Sequence, residues 1–202
     1  MIHKEHWEKL RSLSKDIVCK NSLAYFDENK KGYILTVLGE EYLILPQKEL
    51  IERISPPINS HLSKISYNFY LSTIVYLINS KDIPLDGELI TEKNITGGVI
   101  FFTGLHVFPI DLLIDKFGNN PEGLIQCMEI FKGKKLNMGN IAVEFKVFPR
   151  IPITYILWLG DEEFSPKISI LFDKTIEKHL PMDAIWAMVD MCSKKLVMYD
   201  AK

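Results

Sequence analysis

The sequence predicts an α+β fold: a mixed or antiparallel sheet of about five strands with helices packed against it, one domain over residues 1–202. Three observations lead there. Strand-like runs at 141–148, 153–159 and 167–172 follow one another with no helix between them, which argues against repeated βαβ units. The run 153–159 has Ile153, Tyr155 and Leu157 on one face and Ile156 and Trp158 on the other, as a strand covered on both sides does. Helical patterns stand before and after this group.

The composition sets the class. The chain has 202 residues, 47% hydrophobic and 25% charged, with 24 basic against 26 acidic side chains and a formal charge of −2. A chain of this length buries roughly 70% of its unfolded surface, so it needs no disulfide or metal staple. These values exclude a disordered tail, a coiled-coil rod and a low-complexity scaffold. Near-neutral charge argues against generic nucleic-acid or anionic-membrane binding. The most apolar stretch, 67–78, covers about 12 residues where a membrane span needs about 20. The charged start MIHKEHWEKLRSLSKD has no apolar signal region. A cytoplasmic location is therefore expected. Cys19, Cys127 and Cys192 are odd in number and widely spaced, so they read as free thiols. Arginine occurs only at 11, 53 and 150, which makes each one informative, since its planar fork is not replaceable by lysine.

In chain order, 3–20 reads as an amphipathic helix with Trp7, Leu10, Leu13 and Ile17 on one side. Residues 33–45 read as a hairpin with Gly39-Glu40 at a type II′ turn. Pro56-Pro57 breaks the chain, and a buried helix follows over 60–79 with Asn59 or Ser60 as its cap. The stretch 81–98 is polar and turn-rich. Residues 99–103 read as a short strand. Helix 109–117 has Pro109 in its first turn and Gly118 as its stop. Asn120-Pro121 caps another helix to about Phe131. After the three grouped strands, Asp173 caps a short helix to about Leu180, and a last helix buries Ile185, Met188, Val189 and Cys192.

No dinucleotide fingerprint, phosphate-binding loop, nucleophile elbow, zinc-protease helix or calcium loop is present. His3 and His6 stand one helical turn apart without a third ligand, so no metal site is expected. The candidate chemistry gathers around 148–173. Asp161 and Glu163 would lie on one side of an extended backbone roughly 7 Å apart, which suits a general acid and base or a shared divalent cation. His106, Arg150, Trp158 and Asp173 are candidate ligand contacts. Each has a plainer role open to it: a solvated loop tip for the carboxylates, a helix cap for Asp173, core packing for Trp158 and a hydrogen-bonded structural histidine for His106.

The segment FPRIPITYILWLGDEEFSPKISILFDKTIEKHLPMDAI resembles the signature of a family of uncharacterised proteins from anaerobic bacteria and archaea, described only as a domain of unknown function. Its elements fall on Pro149-Arg150-Ile151-Pro152, Trp158, Asp161-Glu162-Glu163-Phe164, Phe172-Asp173 and Leu180-Pro181-Met182-Asp183. Gly87 to Gly118, and more weakly Gly32 to Leu45, are also similar. Related chains often have Gly-Asp where Gly139-Asn140 stands, and some carry a four-cysteine iron–sulfur segment that this chain lacks. The resemblance implies a role beside corrinoid or one-carbon chemistry, although the pattern by which many proteins supply a histidine to cobalamin is missing here.

Three functions follow as expectations. The first is a non-catalytic binding or accessory protein, with Phe101, Phe102, Phe108, Tyr155 and Trp158 walling a pocket for a corrinoid or another planar cofactor. The second is an enzyme using Asp161 and Glu163, which requires a buried carboxylate. The third is a protein-interaction module, which requires an exposed apolar patch. One geometric expectation is sharp. With a loop at 160–165, paired residues of the last hairpin sum to 325, which places Asp173 opposite Pro152 and beside Arg150 as an ion pair. The acidic cluster falls about 20 Å away at roughly 3.3 Å per residue.

Overall fold

The computed structural model describes residues 4–56 and 65–199. In chain order its elements are α1 (Lys4–Ser12), α2 (Lys15–Ser22), β1 (Tyr25–Asp27), β2 (Gly32–Val37), β3 (Glu40–Leu45), β4 (Leu50–Arg53), α3 (Tyr67–Asn79), β5 (Leu89–Ile90), α4 (Gly98–Phe101), α5 (Ile110–Phe117), α6 (Pro121–Ile130), β6 (Lys134–Leu136), β7 (Ile141–Phe148), β8 (Ile151–Trp158), β9 (Lys167–Asp173), α7 (Ile176–His179) and α8 (Met182–Val197). The α+β class holds, with two antiparallel sheets. One has the order β1-β2-β3-β4 and the other β5-β9-β8-β7-β6.

Three adjacent strands of the five-stranded sheet, β7, β8 and β9, are the ones foreseen, while the edge strands β5 and β6 are not. β8 lies at the centre of the sheet and is buried from Ile151 to Leu157. Pro152 is tolerated there because the ladder to β9 ends at Ile153↔Phe172, so its missing N–H falls where pairing stops. The pairing of Trp158 with Lys167 and of Leu157 with Ile168 is the predicted register. The core face carries Phe145, Tyr155 and Phe172, and α8 lays Ile185, Met188 and Val189 in the same cluster. Helix α3 packs along α8 and is buried from Leu71 to Leu77, as its apolar sequence requires.

The four-stranded sheet was visible only as one hairpin. Its turn is Leu38-Gly39, one residue earlier than expected, with Val37 opposite Glu40. Both turn residues have positive φ, 47° and 76°, which makes the turn type I′. Leu38 tolerates that conformation because its side chain is fully buried and its N–H donates to Val147 O at 2.9 Å. The hairpin tip is therefore docked on β7.

Three other elements differ from the sequence reading. Helix 3–20 is two helices, since Ser14 is extended (ψ 130°). Trp7 and Leu10 are buried against the body while Ile17 is exposed, so one straight stripe does not form. The N-terminal part of helix 60–79, with its proposed caps, lies outside the described residues, and α3 is capped by Ser66, whose hydroxyl accepts from Phe69 N. Residues 99–103 are not a strand. Gly97 at φ 78° turns the chain, and Phe101 and Phe102 N–H bond back to Gly97 and Gly98 O as a helical turn. Gly98 can only be glycine, because an added Cβ would meet Glu92 O at 2.0 Å.

Candidate functional site

Arg150, on the turn between β7 and β8, is 13% exposed and its guanidinium ties that turn to two other segments, the end of α2 and the loop at 82–83. Nε donates to Asn21 O at 2.6 Å, one terminal nitrogen to Ile83 O at 3.2 Å, and the other to Lys20 O at 3.0 Å and to Asp82 Oδ1. Lys20 and Asn21 are in the last turn of α2, whose carbonyls have no intrahelical partner. A cation there also faces the negative end of the helix. The main chain joins the same junction, as Arg150 N donates to Tyr76 OH, which donates to Ser22 O at 2.8 Å.

Asp173 has other work. Its carboxylate is 4% exposed and accepts from Asp86 N, Gly87 N, Thr175 N and Thr175 Oγ1 at 2.6–3.1 Å. Burial opposes the charge, but the Thr175 hydroxyl and these main-chain donors outweigh it and lower the pKa below the ordinary 3.8. The expected Arg150–Asp173 ion pair is thus not formed: Arg150 pairs with Asp82. The strand register was right, but extended-strand neighbours were overridden by the 81–88 loop, which passes between the two side chains and takes the donors of one and the acceptors of the other. Asp173 does not sit as the cap of α7 either, since Thr175 occupies that position and Asp173 orients it.

His179, unremarked in the sequence, lies between these clamps. It is 1% exposed; Nδ1 accepts from Lys81 N at 3.2 Å and Nε2 is buried with no hydrogen-bond partner. Burial, reinforced by the Arg150 charge, lowers its pKa to about 4. A second polar centre was also missed. Glu40 of β3, 1% exposed, accepts from Lys195 of α8 and from Tyr42 OH at 2.8 Å, with Arg53 3.5 Å away. Burial depresses the Lys195 pKa despite that pairing. This ion pair ties the four-stranded sheet to α8. No local pattern marks it, because its members are 155 residues apart.

The acidic tip is open. Asp161, Glu162 and Glu163 are all exposed beside a surface hollow of about 770 Å³ that also borders Gly118 and Pro121. Asp161 Oδ1 accepts from Glu163 N and Phe164 N at 2.9 and 2.8 Å, which makes it a turn-shaping residue. None of these three is the buried carboxylate that acid–base chemistry at the tip requires. Trp158, 46% exposed, ends β8 next to this loop. Burial pushes Cys127 and Cys192 up to about 12, so neither is a ready nucleophile. Among the described residues no cluster of three metal-ligating side chains occurs; His3 lies outside them.

The aromatics foreseen as pocket walls are dispersed. Tyr155 is in the core at 1% exposure, where its hydroxyl meets Ser193 Oγ at 3.1 Å. Phe101, Phe102, Phe108 and His106 gather instead on the segment 98–108. His106 stacks on Phe101 at 4.4 Å and meets Trp186 edge-on at 5.6 Å. Phe102 and Phe108 are buried, while Val99, Ile100, Leu105 and Val107 are 64%, 82%, 92% and 55% exposed. Beside them runs a groove of about 270 Å³ along β9, lined by Phe102, Val107, Phe108 and Ile110.

A family described as "Domain of unknown function (DUF3786)" matches residues 16–195. The chain belongs to this family. The match covers both sheets, both clamps and the exposed apolar segment. No curated protein and no solved structure matches the chain. Among the described residues, no helix is long and apolar enough to cross a membrane.

Proposed function

We propose that this member of the family is a non-catalytic accessory protein that works by binding a partner through the apolar face of residues 98–107. The observation that carries this reading is the exposure of Val99, Ile100, Leu105 and Val107, with Leu105 at 92%, on a single ten-residue segment. Scattered apolar side chains on a surface need no explanation, but a concentration of them marks contact surfaces. The segment is also held in place: Phe102 and Phe108 are buried, and Trp186 Nε1 donates to Val107 O at 3.3 Å. Its exposed side chains are thus presented on a preset frame, which lowers the ordering cost of association. The acidic tip, solvated and committed to its own turn, supports a binding role better than a catalytic one.

The test uses a double variant, Ile100→Glu with Leu105→Glu. Both positions are solvated, so the unfolding midpoint should stay within about 0.5 kcal/mol of the parent in stability. Binding of the native partner from extract of the host, measured by pull-down with purified bait, should fall at least tenfold. Equal retention by both proteins would refute the reading.

A further inference from the structure

We infer that the partner contributes an extended peptide that adds a strand to the open edge of β9; this rests on the reading of the 98–107 face as a partner surface. β5 covers only the end of β9, pairing Leu89 with Asp173 and Ile90 with Phe172. Lys174 N donates to Glu88 O across the same edge. In an antiparallel ladder main-chain groups alternate sides. Phe172 therefore faces β5, and Ile170 and Ile168 turn their N–H and C=O groups the same way. Beyond Ile90 no main-chain group among the described residues pairs with them, and both residues lie at the floor of a groove rather than on open surface, each 4% exposed.

The reason is local. At Thr91 the chain leaves the sheet and turns back on Asn94: Asn94 Oδ1 accepts from Thr91 N and Thr91 Oγ1, and Asn94 N donates to the main-chain O of Thr91. Residues that would have continued β5 are wound into a short turn, and the line they would have occupied is the 270 Å³ groove, lined by Ile168, Ser169 and Ile170 on one side and by Thr91, Phe102 and Phe108 on the other. Unpaired edges invite strand pairing, and proteins commonly blunt them with charge or cover. Here only Lys167 guards the start of the strand. Alternating main-chain donors and acceptors, at strand spacing, are matched by another extended chain and by no small apolar ligand. Side chains on the inner face of that chain would rest against the Phe102 and Phe108 rings, whose centroids stand 4.9 Å apart and which close the floor of the groove.

Charge narrows the occupant. Lys93 and Lys167 border the groove together with Glu92. Glu92 gives the groove one negative charge against two positive, so the fitting peptide carries an acidic residue among β-branched ones. Four or five residues, at about 3.3 Å each, span the open part of the edge.

The probe is a displayed library of eight-residue peptides with β-branched residues at alternate positions and one fixed acidic residue, selected against the full chain. The enriched peptide, made synthetically with blocked ends, is then added to isotope-labelled protein. Hydrogen exchange at the Ile168 and Ile170 amides should slow at least tenfold. The Ser169 and Leu171 amides, which face β8, should not change. N-methylating one alternate set of peptide nitrogens should abolish binding, while methylating the other set should not. Three results would overturn the proposal. The library could enrich nothing. A bound peptide could leave both amides unprotected, or tolerate methylation of either set. The two amides could become protected without peptide as protein concentration rises, which would make a second copy the occupant. The two readings separate cleanly: a peptide that protects Ile168 and Ile170 yet ignores the Ile100→Glu, Leu105→Glu pair sinks the face and keeps the strand. A peptide lost on that pair without protecting the amides does the reverse.

Discussion

Replacing Arg150 by alanine removes a junction rather than a ligand contact. The guanidinium satisfies Lys20 O, Asn21 O and Ile83 O and pairs with Asp82. Arg150 is 13% exposed and Asp82 43%, so solvent screens part of the ion pair. Hydrogen bonds to charged donors are worth about 1.5–3 kcal/mol when buried; discounting the exposed ones to about 1 kcal/mol each gives a total loss of about 3–5 kcal/mol. For a chain of this size each kcal/mol lowers Tm by about 2–4 °C, so a fall of roughly 10 °C is expected. Arg150→Lys keeps a charge near Asp82 but presents a single ammonium that cannot reach all four acceptors on two segments, and should recover no more than about half. Urea unfolding followed by circular dichroism measures both variants through their midpoints at constant m. A loss under about 1.5 kcal/mol for the alanine variant, or full stability with lysine, would refute the junction.

Lys195→Ala removes the buried cation of this pair and leaves Glu40 to Tyr42 and to Arg53 at 3.5 Å, and should cost about 3 kcal/mol. Lys195→Met combined with Glu40→Gln should lose less than that single variant in the same unfolding assay, because the carboxylate charge leaves the interior together with the ammonium. His179 titrates at about 4 in the folded protein against 6.5 when free. Between these values the unfolded chain binds a proton that the folded one refuses, so stability is complete above pH 6.5 and falls as pH drops toward 4, by up to about 3 kcal/mol. His179→Gln should flatten that slope, measured as the urea midpoint at pH 7 and pH 5. Asp173 has a lowered pKa, so its contribution is present above about pH 4 and is lost as pH falls below. Asp173→Asn should remove about 2–3 kcal/mol at pH 7 and speed exchange at the Asp86 and Gly87 amides.

Much of the fold was legible in the sequence because its signals are local. Pro121 after Asn120 announces α6, and the Asn120 side chain does accept from Gly123 N. The doubly apolar run in β8 announced a central strand, and a short hairpin loop fixed the register with β9. Where the reading failed, the physics was non-local. Val99-Ile100 has strand propensity, but a strand needs a neighbour, and the turn after β5 leaves that segment without one. Residues 33–45 showed a hairpin, yet the pairing of Leu38 N–H with Val147 O, which sets that hairpin on the larger sheet, joins positions 109 apart in sequence.

The candidate site divides the same way. Residue type alone marked Arg150 and Asp173 as unusual: a rare arginine between prolines and an aspartate at a strand end. Their partners were decided by the path of the 81–88 loop, which no periodicity records. The buried Glu40–Lys195 pair and the orphaned His179 Nε2 were invisible, since burial of a charged or polar group is a property of everything packed around it. The sequence by itself determined most of the longer helices and the pairing of strands in the last hairpin, through spacing of apolar residues along one chain. Only the tertiary structure decided which apolar residues stay outside and which sheet edge stays open, because both depend on what distant segments fail to cover.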